Sequence, residues 1–127
     1  MSEAAWVLED RALGDELEQL LLPFADRIVV SARALMCIGS VAGALGRLAE
    51  LRGDHLTAID RYEQAIAREE YAGASIWATH HRRRLGDALI AAGRPAPGYA
   101  MLQRVAREAA PMGLTRVAGL ARDRLSA

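Results

Sequence analysis

Few side chains in this sequence can do chemistry: three histidines, one cysteine, and a cluster of arginines at 82–84 beside the pair His80-His81. Adjacent helical residues point about 100° apart, so His80 and His81 cannot share one metal ion. No third ligand stands three or four residues on, where Arg83, Arg84 and Leu85 lie, and Arg82 to Arg84 would repel a cation. No metal and no cofactor are therefore expected. His81 falls between Trp77 and Leu85 on an apolar stripe and is expected as a hydrogen-bonded interior residue. Cys37 lies in the apolar stretch Leu35 to Ile38, where a free cysteine behaves as a small hydrophobe. A nucleophile would need a base and an electropositive setting, and nothing nearby in sequence supplies them. Gly39, Gly43 and Gly46 lack the preceding strand and the Lys-Ser/Thr of a phosphate loop, so they read as helix-packing positions. No residue is assigned a catalytic role, and the balance is against an enzyme.

The elements that must position these groups are helical. From about Ser31 to Arg52 the apolar residues Ala34, Leu35, Ile38, Val41, Ala42, Leu45, Leu48 and Ala49 recur every three to four residues, one buried helix face. Gly53-Asp54 supplies a stop and the next N-cap. A helix from about His55 to Tyr71 follows, burying Ala58, Ile59, Tyr62, Ala65 and Ile66, and Gly73 ends it. Another runs from about Ser75 to Ala92. The stretch Gly93 to Gly98, with two prolines, is expected to break the chain before helices at about 99–110 and 114–125. Upstream, 3–12 and 15–25 read as a short helical pair around Gly14. No strand alternation stands out, so the fold class is all-α, about six to seven helices in antiparallel hairpins forming a short curved solenoid or bundle.

Charge and composition narrow the context. All sixteen basic residues are arginine, which with the high alanine, glycine and leucine content has the look of a GC-rich bacterial coding bias. Residues 1–26 hold seven acids and one arginine, whereas residues 77–127 hold nine arginines and three acids. The formal net charge of zero thus conceals opposite ends, which could steer partners or stack end to end. No apolar run approaches the roughly 20 residues of a membrane span. The acidic opening residues do not resemble a secretory or mitochondrial leader, and one cysteine cannot form an intrachain disulfide. A cytoplasmic location is expected, with no membrane partner. Nucleic acid is not an expected partner either, because no recognition-helix motif or aromatic stacking pattern accompanies the arginines.

Internal repetition sets the architecture. Ala44-Leu45-Gly46 is followed by Gly53, Ala58, Tyr62 and Ala65; forty residues on, Arg84-Leu85-Gly86 is followed by Gly93, Gly98, Leu102 and Val105. This resembles the tetratricopeptide pattern, with the clearest copies at 39–72 and 79–112 of a single domain spanning 1–127. The spacing exceeds that family's usual period, and Ala42 and Arg82 stand where its tryptophan is expected. Further strings lie in Glu18 to Val30, Cys37-Ile38-Gly39-Ser40-Val41, Leu45-Gly46, Gly73-Ala74 with Trp77, and Gly93-Arg94-Pro95. Over roughly 15–115 these resemble the C-terminal helical region of actinobacterial LuxR-type regulators that carry a signalling ATPase.

That resemblance implies a sensor or interaction module, with the first helix of each pair lining a concave groove. Its groove-facing positions would be Ser40, Gly43, Arg47 and Glu50, then His80, Arg83, Asp87 and Ile90, with Arg84 beside them. Arginines there would clamp an acidic peptide or partner helix through paired hydrogen bonds. A homodimer is expected, one chain capping the open end of another. The alternative is a small enzyme or metabolite-binding protein with a pocket near Tyr62, Trp77, His81 and Arg84.

Overall fold

The structure, a computed structural model, describes residues 11–31 and 36–126. Six helices dominate it: α1 (Arg11–Leu21), α2 (Val41–Leu51), α3 (His55–Tyr71), α4 (Ser75–Ala91), α5 (Pro95–Ala109) and α6 (Thr115–Ser126). Each packs on the next in sequence, so the fold is an all-helical bundle of successive hairpins. Between α1 and α2 lies one antiparallel strand pair, β1 (Ile28–Ser31) and β2 (Met36–Ser40).

The turns explain the regularity. Gly53, Gly73, Gly93 and Gly113 stand twenty residues apart, and all have φ between 75° and 81°. That left-handed conformation suits glycine. In each case the glycine N–H and the next N–H return to carbonyls of the preceding helix, as in Gly93 to Ile90 at 3.1 Å and Arg94 to Leu89 at 2.8 Å. This is the Schellman arrangement, which satisfies the last carbonyls of the helix and turns the chain at once. After the first turn Asp54 caps α3 by accepting from the Thr57 N–H at 3.1 Å.

In α2 from Val41 onward, and in α3, the core follows the expected stripes. Ala49, Ala58, Ile59, Tyr62, Leu85, Ala88 and Leu89 join α2, α3 and α4, while Leu102, Val105, Ala109, Val117, Ala118 and Ala121 join α5 to α6. Gly46 and Gly86 sit where a Cβ would meet Tyr62 at 2.6 Å and Leu102 at 2.8 Å. The glycines forty residues apart therefore admit the central side chain of the following helix in each hairpin. At the N-terminal end, Leu17 of α1 packs on Leu48, with Leu13, Leu21 and Leu51 around it.

Three expected boundaries are corrected. The helix expected from Ser31 begins at Val41, because Ser40 caps it by accepting from the Gly43 N–H at 3.2 Å and the preceding residues pair as strands. The break expected over 93–98 is shorter: Pro95 takes the first position of α5, where its missing N–H costs nothing. Gly14 lies inside α1, packed near Leu51, and does not divide two helices. The expected helix at 3–12 lies almost wholly outside the described residues, as does Trp6.

Candidate functional site

Two polar clusters are built on this frame. The first is interior. Glu69, on the α3 stripe Ala58, Tyr62, Ala65, is fully buried. His81 Nδ1–H donates to its two carboxylate oxygens at 2.5 and 2.8 Å, and Ser40 Oγ–H donates to one of them at 3.1 Å. The imidazole stacks against Tyr62 on one helix and Trp77 on its own, with centroids 5.9 and 6.2 Å away. Its other edge faces Gly43, where a Cβ would come within 2.3 Å of Nε2. The hydrogen-bond order is serine to glutamate to histidine, so Ser40 is not activated by the imidazole in the manner of a hydrolase. These contacts pin the start of α2 to α3 and α4. They make His81 the hydrogen-bonded interior residue that its position between Trp77 and Leu85 implies.

The second cluster faces outward along α2, α4 and α6. Glu50 is largely buried, and burial raises its pKa above the ordinary carboxylate value, outweighing Tyr62, Arg84 and Arg47, which favour its charged form. The Tyr62 hydroxyl lies beside Glu50 but short of good hydrogen-bond geometry; burial and that carboxylate hold its pKa well above the usual phenol value. Arg83 Nη1 donates to Asp87 Oδ2 at 3.0 Å, and Arg124 of α6 reaches the other oxygen at 3.6 Å. His80, half-buried, tilts against Trp77 with centroids 5.3 Å apart. Its pKa is lowered by burial, then by His81, Arg83 and Arg84, which keeps the ring neutral at neutral pH.

Arg47, Glu50, His80, Arg83, Arg84 and Asp87 are thus brought onto one face. Ser40 and Gly43 are not: the first is a buried cap and the second lies beneath His81. Ile90 turns instead into the α4–α5 contact, against Gly98. Arg124 joins the face from α6, where the forty-residue register carries Arg84 onto it and His80 onto Leu120. Of the alternative pocket residues, Tyr62 and His81 are buried among their partners and Trp77 is half-buried. A shallow open cleft of about 350 Å³ lies elsewhere, lined by Asp15, Glu18, Gln19 and Arg52.

Arg82, in the expected tryptophan position, is buried and pairs with Glu70 across the α3–α4 turn. Cys37 lies on β2, not in a helix. Among the described residues, no group of three or more His, Cys, Asp or Glu is placed to hold a metal ion, and no helix is long and apolar enough to cross a membrane. Comparison with protein-family models, curated proteins and solved structures returns no match for this chain.

Proposed function

We propose that this chain is a non-catalytic interaction module of a bacterial regulatory system, binding an acidic peptide or partner helix along the face formed by α2, α4 and α6. One observation carries the reading: Arg47, Arg83, Arg84 and Arg124 gather from three helices onto one surface around Glu50 and Asp87. Guanidinium groups offer paired donors that match a carboxylate, and half-burial strengthens such contacts relative to open water. Glu50 and Asp87 lie among these arginines and hold them in place. Trp77 with His80 at one edge and Leu120 at another supply apolar surface for the non-charged side of an amphipathic helix. The resemblance to helical regions of LuxR-type regulators supports the regulatory setting and a cytoplasmic location.

The test uses a fluorescent synthetic helical peptide rich in glutamate and leucine, with a lysine-leucine peptide as control, read by anisotropy. The acidic peptide should bind and the basic one should not. Arg84→Ala with Arg124→Ala should weaken binding about tenfold or more, which is about 1.4 kcal/mol. Equal binding of both peptides, or binding indifferent to the two substitutions, overturns the reading.

A further inference from the structure

We infer that the acidic helix received by the arginine-bearing face is α1 of a second copy of this chain, so that two copies close reciprocally into a dimer. The inference rests on the binding face proposed above and names its occupant.

α1 is already seated through Leu17 on Leu48, with Leu13 and Leu21 against the same helix. Its opposite side presents Asp15, Glu16 and Gln19, all exposed, and Leu20 lies on the flank beside Leu13. Leu20 is 65% exposed, and Phe24, just beyond the helix, is 50% exposed. This is the amphipathic, acidic surface that the opposite face is suited to take. Charge favours the same pairing at longer range, since the first 26 residues are strongly acidic and the last 51 strongly basic. α1 is held on α2 by its buried leucines and by the Glu18–Arg52 ion pair, and Asp15, Glu16 and Gln19 stay exposed, so another molecule can reach them without unseating the helix. A single helix face buries less than the roughly 1,000 Å² expected of a specific interface. Reciprocal docking doubles the area and closes the assembly, whereas one-way docking would leave an open chain.

Sedimentation velocity on the full chain tests this. At about 50 mM salt the mass should be twice 13.7 kDa; at about 1 M, where the Debye length falls to roughly 3 Å, it should return toward 13.7 kDa. Asp15→Arg with Glu16→Arg should weaken association about tenfold or more, and so should Arg84→Glu with Arg124→Glu. Mixing the two charge-reversed proteins should restore a dimer that neither forms alone. Circular dichroism on each variant checks that the helices remain, and the Asp15/Glu16 variant, altered only at exposed positions, keeps the test decisive if the arginine variant unfolds.

A monomer at both salts, or association untouched by salt and by charge reversal, overturns the inference. The fluorescent acidic peptide separates this failure from that of the binding face itself. If the Asp15/Glu16 variant binds the peptide while the unaltered chain never associates, the face stands and its occupant is another protein.

Discussion

Glu50 and Glu69 are both drawn inward by the helices, and they are accommodated differently. Glu69 is enclosed by donors, with Ser40 and His81 meeting its carboxylate. Its burial was legible, since it continues the spacing Ala58, Tyr62, Ala65 along α3, yet its charge argues for the surface. A buried acid at a core position calls for a donor nearby, and His81 on the buried stripe of α4 is that donor. Glu50 lacks such enclosure, and burial raises its pKa. The folded chain therefore holds this proton more tightly than the unfolded chain does. Its contribution to stability is intact below the unfolded value and is lost as pH rises through the folded one. Glu50→Gln keeps a polar side chain beside Tyr62 without the charge. The variant should melt above the unaltered chain at neutral pH, with the gap closing toward about pH 4. Thermal melts across that range check it; a variant that melts lower by the same amount at every pH would sink the assignment.

At the scale of elements, the helices were readable because their apolar spacing and their stops agree. The fourfold recurrence of a turn glycine every twenty residues states the half-repeat more plainly than the forty-residue register does. The strand pair is hidden in the sequence, because Ala34, Leu35, Ile38 and Val41 continue the helical spacing of α2 backwards. The opposing signals were the β-branched run Ile28-Val29-Val30 and Ser40 as an N-cap, and the cap defined the boundary. Likewise Pro95 reads as a breaker until it is recognised as a permitted first residue. Helix glycines also differ by what they face. Gly46 leaves room for the Tyr62 ring, whereas nothing lies within 4 Å of a Cβ at Gly119 in α6. Gly46→Ala should destabilise by about 1–3 kcal/mol through overpacking. Gly119→Ala should stabilise by up to about 1 kcal/mol through helix propensity. Denaturant unfolding of the two variants checks the contrast, and a shared sign would show that packing at Gly46 is not close.

For the whole molecule, the chain of hairpins means that each helix is stabilised chiefly by its sequence neighbours, and stability accrues by contact rather than from one central core. α4 lies between α3 and α5, shares the Tyr62–Leu85–Leu89 cluster, and carries His81 on Glu69. α5 is held by α4 on one side and by the Leu102–Val105–Val117 cluster on the other. By contrast, α1 rests on α2 through Leu17 and a few partly buried leucines. Local opening should cost least where such contacts are fewest. Amide exchange followed by mass spectrometry should show the slowest amides in α4 and α5, with protection falling toward α1. Docking of α1 on a second copy should raise protection of α1 and of α6 at low salt and high protein concentration, and leave α5, which lies outside the docking face, little changed. Uniform protection from α1 to α6 would mean that the hairpins open as one unit, against the neighbour-by-neighbour account.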